Sequence, residues 1–292
     1  MDSRPSVAIS SQSVPQGAAR NVRSRRLRTS TFWSIRRGIP RHLKILMPIL
    51  GAGGPLLAWT LLSQSGLVSN TFLPTPIQVL RAGVELWDSG LLLGDMVASC
   101  SRVLLGFLAA ALVSIPMGLL MGTFHTMESL LSPIVGPVRY LPVAAFVPLV
   151  MIWAGIGEPA KILIVFLGVV LYNITMIADA VKFIPDEVLN AAYTLGASRP
   201  VLLFQVIFPA ALPSIIDTMR TNIAGAWNFL ILSELIAAQQ GLGFRIIQSQ
   251  RYIQTDKVLF CICIIGIIGL LTDYALKKLA VVLTPWADHD SP

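Results

Sequence analysis

Hydrophobic positions in this chain come in long runs separated by short polar segments. Charge-poor runs fall at about 45–64, 103–124, 130–157, 160–178, 213–238 and 258–276, each near or above the ~20 residues that a helix needs to cross hydrocarbon. The pattern predicts an all-α, polytopic membrane protein of about six spans. The third run carries Pro142 and Pro148, and the fifth region carries Pro209 and Pro213 with Ala224-Gly225-Ala226, so both are expected to bend or to approach neighbours closely. Such kinks suit helices that line a cavity, and equally suit ordinary bundle packing. Gly118 and Gly122 form a GxxxG pair, with the same two readings.

One polar stretch stands apart. Residues 190–209 read NAAYTLGASRPVLLFQVIFP, too polar to cross a bilayer yet built like two short helices. Asp186 and Glu187 after Pro185 suit a first turn, where free N–H groups and the helix dipole favour acids. Gly196 supplies a left-handed residue to end that helix. Ser198 is placed to cap a second one, with Pro200 in its first turn. A helix-turn-helix of this kind, fixed between two spans, has the shape to dock into another protein and transmit motion.

Composition agrees with the membrane reading: 54% of residues are hydrophobic, 13% are charged and mean hydropathy is +0.72, against about a quarter charged in typical soluble domains. The net charge of +7 is unevenly spread. Residues 1–44 hold ten Lys and Arg against Asp2 alone, a net of +9, so the remainder carries −2. A basic tail before a first span marks the cytoplasmic side and is drawn to anionic headgroups. It lacks the recognition features expected of a nucleic-acid binder. Residues 1–42 are therefore expected to form a basic, largely disordered cytoplasmic tail, disordered to about residue 28, with a short interfacial helix over Phe32 to Arg41. The first apolar run is expected to be a retained anchor, because no clean small-residue cleavage site follows it. Residues 43–286 form the expected membrane domain and 287–292 a cytoplasmic C-terminal tail. Six spans return the C-terminus inside, in agreement with Lys277 and Lys278 after the last run. Segments 65–94 and 239–257 then face outward, and the 190–209 stretch, flanked by Lys182 and Arg199, faces inward.

Catalytic chemistry is not supported. No Gly-Lys pair occurs, so there is no P-loop. His42, His125 and His289 are scattered, and Cys100, Cys261 and Cys263 lack metal or redox spacing. No metal site is expected, and the cysteines are expected to pack as small apolar groups.

The spacing of Asn190, Ala191, Ala192, Gly196, Ala197, the apolar pair Val206 and Phe208, and Pro209 resembles the EAA loop of permease subunits in binding-protein-dependent ABC importers. The family loop usually opens with Glu, where Asn190 stands here, so any salt bridge from that position to an ATPase is lost. From about residue 70 to 286, Leu73-Pro-Thr-Pro76, Ser101 to Phe107 (SRVLLGF), Ile152 to Glu158 (IWAGIGE) and Ala226-Trp227 with Glu234 resemble the nitrate, sulfonate, taurine and bicarbonate branch of that family. The resemblance implies a MetI-like permease bundle in a bacterial inner membrane, with coupling helices over about 186–208. It further implies a second permease copy (a homodimer), two cytoplasmic ATPases that carry the ATP and Mg, and a periplasmic or lipid-anchored binding protein. No cofactor is expected on this chain. Transport would proceed by alternating access without chemistry here, and the substrate implied is a small anion. A secondary transporter or channel without an ATPase is the alternative from another class; it would be expected to carry ionisable relays or repeats within the membrane, where one acid and no repeat are found.

For the path or gate, the candidates are Arg102, Arg139, Trp227, Asn228 and Glu234. Glu234 lies inside the fifth apolar region, where an unpaired acid is costly, and is expected to pair with a cation such as Arg139 or Arg102 in a gate or structural ion pair. Arg102, Arg139 and Arg220 are read as lying near span ends, where they either present donors to an anion or, by default, snorkel to headgroups. Trp227 and Asn228 would add a flat and a polar wall. Gln240-Gly-Leu-Gly243 with Arg245 and Arg251 suits either binding-protein docking or a re-entrant turn.

Overall fold

The structure, a computed structural model, describes residues 40–287. Most of the tail expected before the first span, including all but the end of its interfacial helix, lies outside the described residues, as do residues 288–292. The described chain is helical, without strands. In order come α1 (Arg41–Gln64), α2 (Pro76–Asp88), α3 (Leu91–Thr123), α4 (His125–Val138), α5 (Val143–Ala154), α6 (Glu158–Lys182), α7 (Asp186–Thr194), α8 (Arg199–Val201), α9 (Phe208–Ala237), α10 (Leu242–Arg251) and α11 (Thr255–Leu283). A π-helical turn, Leu202–Ile207, joins α8 to α9.

The described residues fall into two compact units, divided between Leu57 and Ala58. Of the first unit the structure describes the start of α1, whose apolar run from His42 to Gln64 is long enough to span. Helices α3, α6 and α11 and the 37-residue helical stretch Arg199–Leu235 also pass that test. The pair α4 and α5 passes only jointly, because it is bent by 101° at a short break. The third run is thus a broken span: Pro137, Pro142 and Pro148 each lack the N–H that continues a helix, and Pro142 sits at the break as the N-cap of α5.

Three boundaries depart from the sequence expectation. The second span begins at Leu91, well before 103, because Asp95 and Arg102 interrupt the charge-poor run while remaining buried within the helix face. The second coupling helix is not a separate short element; it runs on through the π turn into α9. Pro209 has no N–H for the carbonyl of Gln205 and its ring crowds that carbonyl, and the widened turn just before it, where Phe208 N–H reaches Leu203 O, absorbs the misfit. Ser198 occupies the N-cap position of α8 but its side chain makes no capping bond.

Helices α3, α6, α9 and α11 form the core. On α3 the small residues Gly106, Ala110, Ser114, Gly118 and Gly122 repeat every four positions, all but Gly122 buried. A Cβ at Gly118 would lie 2.7 Å from Ile177 Cβ, and one at Gly122 2.6 Å from Val181 Cβ. The GxxxG pair therefore does hold helices together, bringing the backbone of α3 against α6. Amides tie α6 to α9, with half-buried Asn222 Nδ2 donating to buried Asn173 Oδ1 at 2.6 Å. Outside the core, α2 begins with a capping box between Thr75 and Gln78 and lays Gly83 against the Phe260 ring of α11.

Candidate functional site

Two places concentrate the residues singled out from the sequence. The first is the turn between α6 and α9. Helix α7 starts with Asp186 and Glu187 after Pro185 and ends in a Schellman motif, in which Ala197 N–H donates to Ala192 O at 3.0 Å and Gly196 N–H to Tyr193 O at 2.9 Å. Gly196 has φ +80°, the left-handed conformation that the motif demands. Asn190, Ala191 and Gly196 are exposed, Ala192 and Ala197 are half-buried, and Ala192 packs on the core together with Leu189. Pro209, also half-buried, lies one residue into α9. The outward face is apolar: Phe183 is 86% exposed, Leu195 89% and Tyr193 53%. Beside this helix an open cavity of about 580 Å³ is lined by Phe124, His125, Lys182, Asp186, Tyr193 and Arg199 among others. Large apolar side chains are thus left bare around a polar cleft.

The second place is a buried charge network. Asp95, Ser99 and Arg102, at positions i, i+4 and i+7 of α3, present one helix face. Arg102 lays its Nε and Nη2 on Glu158 at 2.6 and 2.7 Å in a bidentate fork, and its Nη1 donates to Glu234 Oε1 at 2.6 Å and to Gln240 O at 2.7 Å. Glu234 is 1% exposed and also accepts from Ser99 Oγ and from Gly243 N–H, both at 2.7 Å. Lys161 donates to Glu158 at 2.9 Å, and Arg245 to Asp95 at 2.7 Å. Three carboxylates thus meet three cations, which is how charges are kept inside a membrane bundle.

The network also caps α10. Successive N–H groups of Gly241, Leu242 and Gly243 go to Asp95, Ser99 and Glu234 at 2.9, 2.9 and 2.7 Å, so side chains from α3 and α9 satisfy donors that a helix start leaves free. Gly241 has φ +131°, and a Cβ there would sit 2.5 Å from the Glu234 carboxyl carbon. The segment is a buried turn: Gly241, Leu242 and Gly243 are all buried.

Of the path candidates, Arg102 and Glu234 meet as expected, but Arg102 does not snorkel; it is 3% exposed and lies eleven residues inside α3. Arg139 does not join Glu234. It stands at the α4–α5 break, its Nη2 on the Tyr140 hydroxyl at 3.0 Å. Trp227 is buried in the core and Asn228 is exposed, its amide on Ala224 O. Arg220, inside α9, pairs with Asp273 and Asp217. Asp95, Ser99 and Lys161 were not singled out from the sequence, although the i, i+4, i+7 spacing of Asp95, Ser99 and Arg102 was there to be read.

The family model described as the binding-protein-dependent transport system inner membrane component matches residues 114–280. This chain belongs to that family. As a permease of this kind it is 38% identical over 236 residues to the taurine transport system permease protein of Escherichia coli, covering 79% of this chain and 86% of that one. It is 32% identical to a putative aliphatic sulfonates transport permease of Bacillus subtilis (78% and 83% covered) and 31% identical to a bicarbonate transport system permease of Synechocystis (87% and 92% covered). The permease also shares its fold with a methionine ABC transporter in an inward-facing conformation, at a TM-score of 0.62 and 19% identity, over 67% of this chain and 97% of that one. It is a multi-pass membrane permease of an ABC importer.

Proposed function

We propose that the permease forms, with a second copy of itself, the path by which a small anion of the sulfonate or bicarbonate type enters the cell. Two cytoplasmic ATPases, which bind the ATP and Mg, drive it, and a periplasmic or lipid-anchored binding protein loads it. The observation that carries this reading is α7: a polar helix locked between two core helices by its Schellman turn, with Phe183, Tyr193 and Leu195 left bare beside it. Such a surface suits a cleft on an ATPase, so that closure of the ATPases rocks the spans. In this reading both chain termini lie on the cytoplasmic side, in keeping with the basic tail. The small-anion assignment is supported by the relatives' substrates, a sulfonate and bicarbonate among them.

The test is affinity purification of the tagged chain in mild detergent with mass spectrometry of what travels with it, paired with uptake by Gly196→Trp and Ala192→Asp variants. Recovery of a P-loop ATPase, with ATP hydrolysis uncoupled from uptake in inserted variants, is expected. A chain that purifies alone and moves solute in liposomes without ATP would overturn the reading in favour of a secondary transporter.

A further inference from the structure

The cations within α3, α6 and α9 all face carboxylates: Arg102 and Lys161 on Glu158, Lys182 on Glu128, Arg220 on Asp273. Arg139 differs. Among the described residues no carboxylate pairs with it, and its Nε is buried without a hydrogen-bond partner. Its depth is fixed by α6, because the Tyr172 hydroxyl donates to Arg139 O at 3.0 Å. Tyr172 lies 14 residues from Glu158 and 10 from Lys182, hence ~21 and ~15 Å from the two ends of that span at 1.5 Å per residue. Half of a ~30 Å hydrocarbon core is farther than an arginine side chain snorkels. An unpaired guanidinium at this depth is not stable against lipid; it requires water or an anion.

The surroundings suit an anion. The span is broken at this point, and backbone breaks at membrane depth occur where they line a cavity. Helix α5 begins at Val143, so its positive dipole end lies four residues from Arg139, although Ala145 N–H is already spent on Pro142 O. The guanidinium is held over the Tyr140 ring, 4.9 Å from its centroid, and one of its five N–H donors is spent on the Tyr140 hydroxyl. Tyr140 is 76% exposed, which leaves that hydroxyl's own proton free to be donated outward.

We propose that the α4–α5 break is an anion station at mid-membrane, where the Arg139 guanidinium and the Tyr140 hydroxyl hold a small oxyanion on its way through the permease. The inference rests on the anion-import reading above. A fork of donors fits the oxygens of a sulfonate, nitrate or bicarbonate better than a point charge does. Around Arg102 each cation is matched by a carboxylate, so the station is separate from that network.

The test uses the assembled importer in proteoliposomes, with its ATPases and binding protein, and ATP-dependent uptake of labelled taurine, nitrate and bicarbonate. Arg139→Gln is expected to lower import of whichever anion the wild type carries by about 10- to 100-fold, the range for a lost hydrogen bond to a charged group. ATP hydrolysis stimulated by the loaded binding protein persists, and Arg139→Lys restores part of the import. Wild-type import by Arg139→Gln overturns the station while leaving the anion reading intact. Import of none of the three anions by the wild type overturns the anion reading and the station with it. Should Arg139→Gln fail to assemble, the wild-type complex decides: phenylglyoxal modification of Arg139, read by mass spectrometry, is slowed by the imported anion if the station exists, and unchanged labelling refutes it.

Discussion

Replacing Glu234 by Gln gives the sharpest test of the buried network. The carboxylate accepts from Arg102 and Ser99 on one oxygen and from Gly243 N–H on the other. A glutamine keeps one acceptor but turns an NH2 towards another donor, either Gly243 N–H or the Arg102–Ser99 pair. Orphaning a buried donor costs about 1–3 kcal/mol, and the bond from Arg102 falls from charge-assisted to neutral, a further loss of about 1 kcal/mol. Arg102 retains Glu158, so the total sits at the low end of the ~3–5 kcal/mol seen when buried pairs are broken, about 3 kcal/mol. At 1.36 kcal/mol per decade, local opening of the α10 start becomes about 150-fold more frequent. Hydrogen exchange by mass spectrometry of peptides covering 238–246, in nanodiscs, reads this directly. Glu158→Gln is the internal contrast: its side chain is 56% exposed, so the effect there is about 1 kcal/mol or less. Exchange in Glu234→Gln within about threefold of wild type, or equal effects of the two variants, would refute the assignment of Glu234 as the clasp of the turn.

Gly118→Ala puts a Cβ 2.7 Å from Ile177 Cβ and 2.9 Å from Ile174 O and is expected to cost about 1–3 kcal/mol, seen as a lower thermal midpoint in detergent. Gly136→Ala, with open space around it, is expected to be neutral or to gain up to about 1 kcal/mol from helix propensity in the same assay. Gly196→Ala meets no atom but must hold φ +80°, so a loss of about 1 kcal/mol with ATP-driven uptake retained is expected. Trp227 Nε1 is buried without a partner; Trp227→Phe is therefore expected to leave thermal stability within about 1 kcal/mol of wild type.

Hydropathy made the bundle legible, since every expected run corresponds to a helix or, for the third, to a broken pair. It misjudged the start of α3, because a charge-poor window rejects Asp95 and Arg102 although their partners, Glu158, Glu234 and Arg245, lie far along the chain on α6, α9 and α10. The α7 turn was readable residue by residue, because its determinants, Pro185, Asp186, Glu187 and Gly196, act within a few positions of one another. The buried network was half visible: Glu234 announces itself as an acid in an apolar run, whereas Ser99, Lys161 and the glycines at 241 and 243 take their meaning from contacts that only the fold supplies. The π turn before Pro209 also escaped, since a proline signals a fault in a helix but not how the backbone absorbs it.

Helix α6 can be considered as a lever. One end is three residues from α7, and the other is Glu158, gripped by Arg102. Twenty-five residues make a rod of about 37 Å, stiffened along its length by the close approach of α3. A tilt of about 5° around its middle swings each end by about 1.6 Å. That displacement carries a 2.6 Å contact past the ~3.2 Å limit of a good N–H···O bond. A push at α7 that tilted α6 against α3 by that much would therefore release a charged grip at the other end of the helix, with no hinge in between.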